Sequence, residues 1–156
     1  MASTYKGFKE VDFEVEKEVW NQYELDDGSM IKMRTILVKL LAPRFVPIPE
    51  AGAPRPQQFE ARFQNIMVVA RALEKNMGPP SGPISPQEMD SLPKIEVGYT
   101  PLSEDWNVYK LPDGSRLKVK LVVSTILRVK DRYDQDGYPI YLVQSTNAIV
   151  PVPRGV

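Results

Sequence analysis

The chain has 156 residues, 42% of them hydrophobic, with 20 basic and 20 acidic side chains that cancel. The cancellation argues against a strong overall pull toward nucleic acid or an anionic membrane. It has neither Cys nor His, which excludes disulfides, thiolate chemistry, Cys/His zinc sites and any imidazole base. No cofactor fingerprint and no EF-hand-like spacing of acidic residues is present, so no cofactor and no metal site is expected.

In chain order, residues 1–8 read as an N-terminal extension without the apolar stretch of a secretory signal. No apolar run approaches the roughly 18–20 residues of a membrane span. The expected location is the cytoplasm or an assembled particle. From residue 9 the pattern turns to short β segments. "WNQYELDDGSMIKMR" (20–34) has a counterpart in "WNVYKLPDGSRLKVK" (106–120), identical at eight of fifteen positions, where chance gives about one. The likeness extends upstream at the same spacing through Glu10/Glu96, Val11/Val97, Phe13/Tyr99 and Glu18/Glu104. Downstream, after a change in loop length, Phe59 and Asn65 fall into line with Tyr141 and Asn147. The sequence therefore predicts two tandem β units, 9–70 and 94–152, joined by a Pro/Gly-rich linker (71–93) and followed by a short tail (153–156). In the linker, Pro86 to Ser91 is expected to form a helical turn.

Within each unit the central signal is a hairpin. In "LPDGS", a two-residue turn centred on Asp113-Gly114 would put Pro112 where a ladder donor is needed. A three-residue loop suits all three: Pro112 and Asp113 in a type I turn, with Gly114 as the left-handed residue of a G1 bulge. Asp26, Asp27 and Gly28 can do the same. That register pairs Tyr23 with Ile31 and Tyr109 with Leu117 on a core face. The opposite face then carries a Trp beside basic side chains. "KVKLVVSTILRV" reads as a long strand with Leu117, Val119, Leu121, Val123, Leu127 and Val129 on one face. Ile36 to Val38 and Leu121 to Val123 are apolar on both faces, which asks for a second cover.

A unit of about 60 residues holds little core by itself, so the two units are expected to pair as a pseudo-twofold, all-β body, either a barrel or packed sheets. The candidate binding residues are Trp20, Lys32 and Arg34 with Trp106, Lys118 and Lys120, where rings would stack and cations would meet an anion. The competing readings are a solvated strand face and a subunit interface, which favours Trp and Arg. Asp27 and Asp113 are assigned to the turns, as are Gly28, Pro112 and Gly114. Asn21/Asn107 and Asn65/Asn147 are expected to bond backbone at a seam. Asp131, Asp134 and Asp136 are expected in a solvated loop. Fifteen prolines and no Cys fit a heat-adapted composition. The expected function is a non-enzymatic structural or interaction protein, a subunit of a larger assembly of the capsid-decorating, filament or accessory type, with other protein subunits as partners. The alternative is a small β-barrel that binds nucleic acid or another polyanion through its Trp/basic face.

Overall fold

The computed structural model describes residues 7–43 and 59–155. Most of the proline-rich run 43–58 lies outside the described residues. The chain is all-β, built as two antiparallel five-stranded sheets, neither of them closed into a barrel. The barrel expectation is thereby corrected. Each sheet keeps open edges because, among the described residues, its outermost strands pair on one side only.

Strands β1 (Phe8–Glu10), β2 (Glu14–Lys17), β3 (Asn21–Leu25), β4 (Met30–Pro43) and β5 (Glu60–Arg71) come from the first segment. A 3-10 turn at Glu74–Asn76 and a short helix α1 (Pro86–Ser91) occupy the linker. Proline at the start of α1 and the Ser85 hydroxyl, accepting from Glu88 N at 3.1 Å, set where the helix begins. Strands β6 (Lys94–Glu96), β7 (Tyr99–Ser103), β8 (Asn107–Lys110), β9 (Arg116–Tyr133) and β10 (Pro139–Val152) follow.

In the first sheet β4 pairs with β5 along one side, and with β3 and β1 in turn along the other. The second sheet has the same plan: β9 pairs with β10 on one side, and with β8 and β6 on the other. The sheets exchange one strand each. β2 lies against β8 and β7 lies against β3, so each sheet takes an edge strand from the other half of the chain.

Both hairpins are bulged three-residue loops. Leu25 N donates to Ser29 O and Gly28 N to Leu25 O; Leu111 N donates to Ser115 O and Gly114 N to Leu111 O. Gly28 and Gly114 sit at φ +86° and +88°, a region that L side chains avoid. An Asx bond closes each turn, Ser29 N to Asp27 Oδ1 and Ser115 N to Asp113 Oδ1, both 2.9 Å.

Long strands β4 and β9 each carry an extra residue midway. Leu37 pairs with Phe63 and Lys39 with Arg62, leaving Val38 unpaired; Val123 and Thr125 are paired, leaving Ser124 unpaired. An inserted residue reverses the in/out alternation beyond it. Leu40 and Ile126 are therefore fully buried. This corrects the single-face reading of β9, since Ile126 rather than Leu127 continues the core.

The inner faces of the two sheets meet in two cores, each built from both sheets. One joins Tyr23, Leu25, Ile31 and Met33 to Leu121, Val123, Ile126 and Tyr141. The other joins Tyr109, Leu111, Leu117 and Val119 to Leu37 and Leu40. Each hairpin thus buries its apolar face beneath the far half of the opposite sheet's long strand.

Candidate functional site

The outward face of each hairpin is the side left after Tyr23/Ile31 and Tyr109/Leu117 turn inward. Gln22 stands opposite Lys32, and Val108 opposite Lys118. Just before each hairpin strand, Trp20 and Trp106 rejoin the same faces. The Arg34 guanidinium lies 5.7 Å from the Trp20 ring centroid, while the Lys118 and Lys120 ammonium groups lie 4.9 and 5.9 Å from that of Trp106. These are cation–π distances. The structure brings Trp20 to Arg34 and Trp106 to both lysines. Lys32 sits on the same face as Trp20 and Arg34, opposite Gln22 and Val68.

The two clusters differ in how far their charge is already used. Arg34 Nη2 donates to Glu18 Oε1 at 3.0 Å, and Glu18 Oε2 accepts from the buried Tyr109 hydroxyl at 2.7 Å. Arg34 is therefore anchored into the fold, with its Nε buried and lacking an acceptor among the described residues. Around Trp106 the cations come from strand positions facing solvent, and the neighbouring Asp105 is ion-paired to Lys17. Beside the cations each outward face carries an exposed valine: Val68 lies opposite Lys32 and Val150 opposite Lys118, and they are 45% and 43% exposed.

A second arrangement surrounds Asp27, where the sequence pointed only to turn chemistry. Tyr141 donates to Asp27 Oδ2 at 2.5 Å, Arg128 Nη1 donates to the same oxygen at 3.2 Å, and Ser29 Oγ is 2.8 Å from the Tyr141 hydroxyl. Asn76 of the linker donates to Asp27 O at 2.9 Å. Burial raises the pKa of Asp27, but the hydrogen bonds from Tyr141 and Ser29 and the Arg128 charge outweigh it and hold the group below the usual carboxylate range. Burial, reinforced by the acceptor carboxylate, pushes Tyr141 well above an ordinary phenol. Around the second turn no such network forms among the described residues, although Arg154 lies beside it. Asp113 bonds Ser115, Phe59 stands where the alignment places Tyr141's counterpart, and Pro112 and Asp113 are exposed.

Asn21 and Asn107 bond backbone at the seam between the halves, whereas Asn65 and Asn147 meet the Thr35 side chain instead of the expected backbone. Asn107 Oδ1 accepts from Val19 N at 3.0 Å and Asn21 Oδ1 from Asp105 N at 3.2 Å, each tying one half of the chain to the other. The buried Thr35 hydroxyl lies 2.6 Å from the Asn65 amide and 3.0 Å from that of Asn147. Both contacts are to amide oxygens, Asn65 Oδ1 and Asn147 Oδ1, so the single hydroxyl proton is shared between two acceptors. Asp134 closes its own hairpin turn, accepting from Asp136 N and Tyr138 N.

Among the described residues, recesses of about 240, 330 and 400 Å³ indent the surface at Arg128/Tyr133, at Phe13/Pro112 and at Pro83/Tyr133. Neither Trp lines any of them. In comparisons with known proteins, no family model matches this sequence, and neither a curated protein nor a solved structure matches it.

Proposed function

We propose that this chain is a non-enzymatic structural or interaction protein, a β-rich subunit of a larger assembly. One observation carries the reading. The outward faces of both sheets keep large apolar side chains in solvent although the inner faces already supply the cores. Val38, Val68, Val122 and Val150 are each between 42% and 57% exposed, and Trp20 and the Trp106–lysine cluster border them. Paired apolar and aromatic surfaces of this kind, rimmed by cations, suit contact with protein.

The same proposal includes an internal duplication with a pseudo-twofold. It is supported by the sequence alignment, by the common strand plan, and by hydrogen bonds that match across the molecule. Tyr23 donates to Glu104 as Tyr109 donates to Glu18. Asn21 and Asn107 make the corresponding seam bonds. A small unit that once dimerised by exchanging β2 gains from fusion, because pairing then no longer depends on concentration. The test is the native mass of the protein from its source, with capture of bound partners. A complex above 17.7 kDa is expected; a strict monomer at all concentrations, with nothing captured, overturns the reading.

A second reading rests on the Lys118/Lys120 pair over Trp106: a surface for single-stranded nucleic acid or another polyanion, on an open sheet rather than a barrel. In that case Lys118→Glu with Lys120→Glu abolishes binding without lowering the melting temperature, and wild-type affinity falls steeply with salt. Lack of any shift of labelled single-stranded RNA or DNA at low salt removes it.

A further inference from the structure

We propose that the free edge of β10 is a self-association surface, on which a second copy of this chain pairs its own β10 antiparallel across a twofold. This rests on the assembly reading above and names the surface and the partner.

β10 runs for 14 residues, pairs with β9 on one side, and meets no strand on the other among the described residues. A long free edge is a template for another chain, and proteins normally blunt such edges with charge or proline. The other outer strands are blunted in this way. β2 is Glu-Val-Glu-Lys, with Lys17 and Glu16 ion-paired to Asp105 and Arg116. β7 has Pro101 at its centre, and β5 carries Glu60, Arg62 and Arg71. β10, "PIYLVQSTNAIVPV", has no Asp, Glu, Lys or Arg, and its prolines stand near the ends, at 139 and 151.

The absence of charge favours a second copy in particular. Antiparallel pairing across a twofold sets residues of the strand opposite one another, and like charges in opposed positions repel. A strand without charges meets no such penalty in any register. Cations opposite it on β9, Arg116, Lys118 and Lys120 among them, would be at least three strand spacings from their counterparts, about 14 Å. That exceeds the screening length of about 8 Å at physiological salt.

The packing beside this edge also leaves room for a partner. Ile149 stands opposite Val119, a fully buried residue of the core face, yet remains 37% exposed, and Val150 on the other face is 43% exposed. Met67, at the corresponding place in β5, packs against the first core. A paired β10 would cover Ile149 and Val150 from the edge.

The experiment is sedimentation of the full chain from micromolar to millimolar concentration, beside two double variants. Thr146→Lys with Ala148→Lys places cations on the outward side of β10; Gln64→Lys with Ile66→Lys does the same on β5. The expected result is a dimer of wild type and of the β5 variant, with dimerisation of the β10 variant weakened at least tenfold while its circular dichroism is unchanged. Because the chain has no Cys, single cysteines at Thr146, Ala148 or Val150 give an independent reading: at least one forms a disulfide-linked dimer on mild oxidation, and Gln64→Cys does not. The cysteine series decides the matter if the lysine variant fails to fold. A dimer that persists in the folded β10 variant, or is broken by the β5 variant instead, overturns the β10 assignment and leaves the assembly reading standing. A wild-type monomer throughout overturns self-pairing; only if it also captures no partner from its source does the assembly reading fall with it.

Discussion

Several buried polar side chains tie the two halves of this molecule together, beside its two mixed apolar cores. Asp27 is the clearest case. Its carboxylate holds Tyr141, Arg128 and the backbone of Ser29, whereas Asp113 in the corresponding turn holds Ser115 alone among these groups. Asp27→Ala is therefore expected to lower stability by about 2–3 kcal/mol, because buried donors lose their acceptor. Asp113→Ala, an exposed turn change, is expected to cost about 1 kcal/mol; urea titration of both variants checks the order. The pH dependence has a definite sign. A carboxylate held below its ordinary value contributes stability above about pH 4 and loses it as pH falls through the folded value. The gap between wild type and Asp27→Ala should narrow below about pH 4. The tyrosines act at the other end of the scale. Burial, with the hydrogen bonds to Glu104 and Glu18, pushes Tyr23 and Tyr109 well above an ordinary phenol. Their contribution is complete below about pH 10 and is lost as pH rises past it. Tyr23→Phe and Tyr109→Phe should each cost about 1 kcal/mol at neutral pH and flatten that alkaline decline in a pH series of urea midpoints.

At the scale of elements, local chemistry and tertiary contact can be separated in the two hairpins. Both turns need a left-handed glycine, so Gly114→Ala is expected to cost about 1–2 kcal/mol from backbone strain alone. At Gly28 a Cβ would also meet the Leu73 side chain, with Cδ1 at 2.5 Å, where Gly114 has Arg154 no nearer than 3.4 Å. Gly28→Ala should therefore be the more damaging of the two, as thermal denaturation of the pair would show. The three-residue turns were legible in the sequence because Pro112, Asp113 and Gly114 each restrict the backbone through their own chemistry. The bulges at Val38 and Ser124 were not. Neither residue has a local reason to be unpaired, and the misplacement of Leu127 in the core follows from missing that one inserted position.

For the molecule as a whole, the exchange of β2 and β7 makes each half incomplete without the other. Cleavage at an engineered protease site between Gly82 and Pro83 is expected to leave the two fragments co-eluting in native buffer and separating only in denaturant. Fragments that part on native gel filtration would show that the exchanged strands and the two mixed cores contribute little to cohesion. The Trp/basic faces were legible as faces, since the hairpin register fixes which side chains share them. Their unequal use was not: Arg34 is tied down by Glu18, itself held by Tyr109 from the other half of the chain.

The sequence by itself determined the β character, the hairpin turns, the facing of Tyr23 and Tyr109 inward and of the tryptophans outward. These depend on a residue and its near neighbours, through turn geometry and the two-residue period of a strand. Only the tertiary structure decided that the sheets stay open, that they trade β2 for β7, and that Asp27 rather than Asp113 becomes the centre of a buried network. Those outcomes rest on contacts between residues some 70 to 115 positions apart, which no turn chemistry or strand period within a segment specifies.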